Sequence, residues 1–167
     1  MVNINDLQDS YNRISKYLVT TPILQSKKLN KEFNADIYLK NEVKQLTGSF
    51  KIRGALSALS KLKEDGFEGV VAFSSGNHAQ GVSKAAQIFD MKATIVMPED
   101  APLNKIEKTK SNGAEVILYK RHIESREKIA EQISLERGFP LVKPFDNEYI
   151  IAGQGSFGLE ACQFFMG

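Results

Sequence analysis

VVAFSSGNHAQGVSKAAQIFDMKATIVMP, residues 70–98, carries the reading of the fold. VVAF is a short unbroken apolar run, as a strand covered on both faces requires. A small polar turn follows, and AQGVSKAAQIF then spaces its apolar residues as a helix does. ATIVM is a second buried strand. Downstream the alternation continues. PLNKIEKTKSNG reads as a helix closed by Gly113 and EVILY as a strand. IESREKIAEQISLERG reads as a helix closed by Gly138, and PLVKP as a fourth short strand. Strands separated by helices of this length need crossover connections, which produce a parallel sheet. The expectation is an α/β fold: an open parallel sheet with flanking helices, four strands and three helices between Val70 and Lys143.

Upstream, Leu7, Tyr11, Ile14 and Leu18 recur at helical spacing in an opening amphipathic helix. It stops before TTPI, because the residue ahead of Pro22 avoids the helical region. DIYLK, residues 36–40, alternates as a short strand. A further helix starts in TGSFKIRGA, Thr47–Ala55, with Ile52, Ala55, Leu56, Leu59 and Leu62 on one face, and ends around EDGFEG. IIAGQGSFGLEACQFFMG reads as a turn and one more helix, with Cys162 in the core. It finishes on Phe164, Phe165 and Met166, so this helix either packs back on the fold or meets a partner surface.

The charges are balanced, 22 basic against 20 acidic residues, and mixed along the chain, which leaves no footprint for nucleic acid or a membrane surface. One cysteine excludes an internal disulfide and suits a reducing, cytoplasmic setting. MVNINDLQDS lacks the basic and apolar segments of a secretory signal, and apolar runs such as TIVM are too short to span a bilayer. His78, His122 and Cys162 are scattered without ligand spacing, so no metal site is expected.

Two segments can carry chemistry. Lys51 lies between Phe50 and Ile52 at a helix start, with Ser49 as the expected cap. The positive end of the helix dipole and apolar neighbours both disfavour an ammonium, and a neutral amine is what attacks an aldehyde. Gly54, Ala55 and Ala58, three, four and seven positions on, are small enough for something flat to lie close. The competing reading is a surface lysine at a helix start. SSGNHAQG, Ser74–Gly81, is a polar turn between strand and helix at the carboxyl edge of the sheet, where ligands and anions bind. It reads equally as a capped turn. It is not a P-loop, since Val82 and Ser83 follow its second glycine, and the dinucleotide pattern is absent. His78 is a possible acid or base or a hydrogen-bonding loop residue. Arg126 is a carboxylate clamp or part of a solvated face. AGQGS, Ala152–Ser156, suits a close backbone approach or a turn.

Taken in order, TGSFKIRGA, SSGNHAQG, MPEDAP and IAGQGS closely resemble the pyridoxal-phosphate-dependent serine/threonine dehydratases and serine racemases, of the tryptophan-synthase-β type, over about Thr21 to Cys162. The resemblance implies that Lys51 bonds the cofactor aldehyde and moves the substrate α-proton, with Phe50 beside the pyridine ring. Asn77 would bond the ring's phenolic oxygen. Ser75, Gly76, Asn77 and His78 would hold the substrate carboxylate, with Arg126 near it. Ser75 matches the serine that racemases use as a second acid/base.

The same likeness implies three parts. Residues 1–68 begin the large cofactor domain, 69–146 form the small α/β domain, and 147–167 start a return to the large domain. The family continues further, with a glycine-rich phosphate loop, a residue facing the pyridine nitrogen and the racemases' metal acids. The expectation is therefore an N-terminal part that binds cofactor weakly and does not turn over alone. Its partners would be a small amino-acid substrate and either a complementary C-terminal half or a second copy in a dimer. Dehydratase is the leading activity, serine or hydroxyaspartate racemase the second, and a non-catalytic binding module the third.

Overall fold

The structure is a computed structural model, and it describes residues 1–166. Helix α1, Ile4–Ile14, starts at a reciprocal cap: Asn3 accepts from backbone N–H groups of the first turn, and Asp6 accepts from Asn3 N–H at 2.7 Å. A short antiparallel ladder pairs β1, Ile23–Gln25, with β2, Tyr38–Lys40, across helix α2, Lys27–Phe33. Helix α3, Lys51–Glu64, then leads into the alternating part: β3, Gly69–Phe73; α4, Asn77–Ile88; β4, Lys92–Pro98; α5, Leu103–Ser111; β5, Glu115–Tyr119; and α6, Arg126–Arg137. The last helix, α7, runs Glu148–Met166.

The sheet order is β3-β4-β5, all parallel, with Val70 beside Ala93 and Ile95 beside Val116. Alternation along β3 explains its unbroken apolar sequence. Val70 and Ala72 enter a core shared with α3, α4 and α5, while Val71 and Phe73 enter a second core under Ala130 and Ile133 of α6. The first core is continuous from Ile14 and Ile52 through Val70 and Ala79 to Ile150, so it crosses residues 68 and 69 without a break.

Three expectations need correction. The fourth strand is a single parallel bridge, Val71 to Leu141, held by Val71 N–H on Pro140 O (3.0 Å) and Val142 N–H on Val71 O (2.8 Å). Pro140 and Pro144 have no N–H to extend the ladder. Of the two readings of AGQGS the turn fails, since its glycines lie inside α7, and the close backbone approach holds. Gly153 sits where a Cβ would stand 2.5 Å from Arg53 O and 2.5 Å from Ser57 Cβ, so α7 and α3 meet backbone to backbone. Cys162 is exposed rather than core, on the last turns of α7 where Phe164, Phe165 and Met166 are also open.

No helix among the described residues is long and apolar enough to cross a membrane.

Candidate active site

The turn Thr47–Phe50 places the lysine. Gly48 takes φ +72°, a left-handed conformation that glycine adopts without a Cβ clash, and its N–H donates to Gln45 O at 2.7 Å. Buried Gln45 pins this turn to Val19: its amide accepts from Val19 N–H (3.0 Å) and donates to Val19 O (2.8 Å). Lys51 is the first residue of α3. The residue before it, Phe50, stands at the cap position, and no side chain caps the helix. Ser49 is therefore not the cap expected from the sequence; its hydroxyl is buried without a partner.

The side chain of Lys51 is half-buried. Its Nζ donates to Pro144 O at 3.2 Å and lies 5.2 Å from the centre of the Phe50 ring. Burial lowers the pKa of the amine from the usual lysine value, and it makes no ion pair with a carboxylate among the described residues. The small residues that follow have a different use from the one expected. Gly54 lies under α7, where a Cβ would stand 2.9 Å from Ile150 O, and Ala55 and Ala58 are packed in the core. The space they leave is filled by helix packing. On the other side, Gly81 of α4 approaches so closely that a Cβ would be 3.1 Å from Lys51 O. Gly81 thus packs α4 against the start of α3, close enough for the Lys51 charge to act on His78.

In the turn after β3, Ser74 N–H donates to Val96 O (3.1 Å), and Ser74 Oγ accepts from Gly76 N–H (3.2 Å). Ser75 and Gly76 are half-buried. Gly76 is at the cap position of α4, and no side chain caps that helix either, so its first N–H groups are free for an anion. A Cβ on Gly76 would meet nothing within 4 Å, so the space before the turn is open. Asn77 is exposed. Together with Leu24, Leu39, Val43, Ser49 and Phe50 it lines an open cleft of about 530 Å³, within the usual range for small-molecule sites.

His78 turns inward. It is only 3% exposed, with Nε2 3.0 Å from Val142 O and Nδ1 buried without a partner. Burial, helped by the nearby charge of Lys51 and opposed by the Val142 hydrogen bond, pushes its pKa down to about 4. The ring is neutral near pH 7, and what it can offer a ligand in the cleft is its backbone N–H. Arg126 stands 5.2 Å over the ring of Phe73, the last residue of β3, so it reaches the carboxyl edge of the sheet. Its Nε is paired with Glu127 at 2.7 Å.

Phe50 and Asn77 line one cleft, with Ser75 and Gly76 in the turn that leads to Asn77; the Lys51 amine lies 5.2 Å from the centre of the Phe50 ring, Arg126 stands at the sheet edge and the His78 ring turns inward. Several supporting residues are not evident from local sequence. Lys105 of α5 donates from Nζ to Asn77 Oδ1 at 3.3 Å. Fully buried Arg53, two residues after Lys51, bonds Glu42 (2.7 and 2.8 Å) and Glu160 (2.9 and 3.0 Å), and Lys40 joins Glu160. Burial disfavours the guanidinium charge, but the two carboxylates outweigh it and raise its pKa. A signal for this network does exist in the sequence: Glu160 is the only charge between Tyr149 and Met166, and such an isolated acid needs a buried partner.

Comparison with known proteins shows the family. A family model described as "Pyridoxal-phosphate dependent enzyme" matches residues 14–165. The chain is 47% identical over 156 residues to the L-threo-3-hydroxyaspartate ammonia-lyase of Saccharomyces cerevisiae, covering 93% of this chain and 48% of that one. It is 44% identical over 157 residues to the serine racemase of Schizosaccharomyces pombe, covering 93% and 49%. Among solved structures, the serine racemase of Dictyostelium discoideum superposes with a TM-score of 0.91 at 39% identity, covering 98% of this chain and 53% of that one. The chain spans about half the length of the curated relatives it matches.

Proposed function

The chain belongs to the pyridoxal-phosphate-dependent enzymes, and from that premise we propose that it carries the lysine site of a serine/threonine dehydratase. The net reaction takes the α-proton and the β-hydroxyl of L-threonine or L-serine away as water; water then returns to release ammonia and a 2-oxo acid. The observation that carries this reading is the Lys51 amine, half-buried, unpaired with any carboxylate among the described residues and depressed in pKa, at the start of the helix against which Gly81 packs α4.

The residues present fit the cofactor. Lys51 offers an amine whose neutral form is favoured by burial, and Phe50 an aromatic face. Asn77 offers an amide at the cleft, and the open space before Gly76 admits a ligand to uncapped N–H groups. The bound cofactor supplies an electron sink for the bonds at the substrate α-carbon. The chain's own groups do the rest. Lys51 takes up the α-proton at Nζ. The N–H groups of Ser75, Asn77 and His78, at the positive end of α4, hold the α-carboxylate in a turn kept in shape by the Gly76 N–H bond to Ser74 Oγ, with Arg126 as a further cation at the sheet edge. Phe50 would offer its aromatic face to the cofactor ring. Residues 1–68, 69–146 and 147–167 are the parts of the large and small domains in this reading.

A second reading, serine or hydroxyaspartate racemase, is favoured by Ser75. It is half-buried in the turn, while the neighbouring Ser74 supplies the internal hydrogen bond. Ser75 is thereby available as an acid/base on the far side of the α-carbon.

Incubation with pyridoxal phosphate, borohydride reduction and peptide mapping test the site. The label is expected on Lys51, and Lys51→Ala should abolish it. Label spread over surface lysines would refute the assignment. With a complementary C-terminal half supplied, loss of D-serine formation with retained ammonia release in Ser75→Ala would favour the racemase reading.

A further inference from the structure

We infer that Lys105 is a positioning residue for Asn77: its ammonium sets which end of the Asn77 amide faces the cleft. The inference rests on the proposed cofactor site. An amide has an acceptor end, Oδ1, and a donor end, Nδ2, whereas a lysine ammonium has donors only. With Lys105 Nζ 3.3 Å from Asn77 Oδ1, the carbonyl end is turned toward α5 and the NH2 end is left for the cleft that Asn77 lines with Phe50 and Ser49. The opposite rotamer would set NH2 against the ammonium.

Lys105 is well placed to hold this orientation. It lies in the first turn of α5, half-buried, with its backbone N–H on Pro102 O (2.8 Å) and its carbonyl accepting from Thr109 Oγ1 (2.8 Å). Asn112 at the far end of α5 donates to Ser83 Oγ of α4 at 2.9 Å, so the two helices are tied together. A cation in a first helical turn works against the helix dipole, and Lys105 makes no ion pair among the described residues. Its placement is therefore not explained by stabilisation of α5. The result is a site that presents a donor, and so selects a ligand with an anionic ring oxygen at that point.

Binding of two probes tests this: pyridoxal phosphate and an analogue lacking the ring hydroxyl, measured by fluorescence with the whole chain and its variants. One hydrogen bond to a charged group predicts that the unsubstituted chain prefers the hydroxyl-bearing probe about tenfold. Lys105→Glu, whose carboxylate attracts the NH2 end instead, should erase that preference while leaving analogue affinity within about twofold, since the analogue never used the bond. Lys105→Met should reduce the preference, and Lys105→Arg should retain it. An unchanged preference in Lys105→Glu and Lys105→Met overturns the role of Lys105 alone. Failure of the unsubstituted chain to bind either probe overturns the cofactor site and this inference with it. Should Lys105→Glu lose affinity for both probes, the Met and Arg variants decide: equal preference in the two overturns the proposal.

Discussion

His78 should make the stability of this protein depend on pH in a window where few other groups titrate. Its pKa is about 4 in the folded chain against an ordinary 6.5, with burial as the leading cause and the Lys51 charge assisting. Above pH 6.5 both folded and unfolded chains carry a neutral ring, and the full stability is present. As the pH falls toward 4, the unfolded chain binds a proton that the folded chain refuses, so stability is lost. Linkage gives a loss of about 1.4 kcal/mol between pH 7.5 and 5.5, growing to about 3 kcal/mol near pH 4. That is a large share of a typical domain's stability, roughly 5–15 kcal/mol.

The carboxylates held low by ion pairs, Asp100, Glu115, Glu127 and Glu160, lose their contributions only as pH falls below the ordinary carboxylate range. The interval from pH 7.5 to 5 therefore isolates the histidine. Urea unfolding at half-unit steps across that interval, on the unsubstituted chain and on His78→Gln, measures the slope directly. The variant is expected to be flatter by about 1 kcal/mol per pH unit near pH 5.5. Lys51→Met, which removes the neighbouring positive charge, should raise the histidine pKa and give an intermediate slope. Equal slopes in the unsubstituted chain and His78→Gln would show that the ring is hydrated in solution, and the packing of α4 against Val142 would be wrong.

Two further outcomes follow from packing and from the buried charges. Gly153→Ala places a methyl group against backbone and Cβ atoms at 2.5 Å, so it should cost about 2–3 kcal/mol by forcing α7 from α3; a urea midpoint within error of the unsubstituted chain would contradict that close approach. Arg53→Met leaves Glu42 and Glu160 without their shared cation and should cost about 3–5 kcal/mol, while the double change Arg53→Met with Glu160→Leu should recover part of it. A larger loss in the double variant would refute the coupling.

The strands β3 and β4 are legible in the sequence because both are covered on their two faces, which writes an apolar run into consecutive positions. Strand β5, an edge strand with Leu118 exposed, is legible from its short apolar run between Gly113 and the next polar segment. PLVKP has the apolar content of a fourth strand, but its prolines remove the donors that a ladder needs. Helix α2 and strand β1 are not legible, since seven and three residues carry too few repeats for a period to emerge. Ser49 is a good cap by residue type, yet Gly48 and Gln45 already determine the entry to α3 and turn its hydroxyl inward. Cys162 lies outside the core because a cysteine's usual burial says nothing about which face of α7 is covered.

Local sequence determined the alternating strands and helices, the parallel sheet, and the position of Lys51 at a helix start, because periodicity and turn chemistry act over a few residues. The order of its motifs pointed to the family. Only the tertiary structure decided what surrounds the amine. Pro144, 93 residues away, supplies the carbonyl it meets, and Gly81 admits α4 against its backbone. Lys105, 28 residues from Asn77, turns the amide. Contacts of that kind depend on where crossovers deliver distant backbone, which no window of consecutive residues encodes.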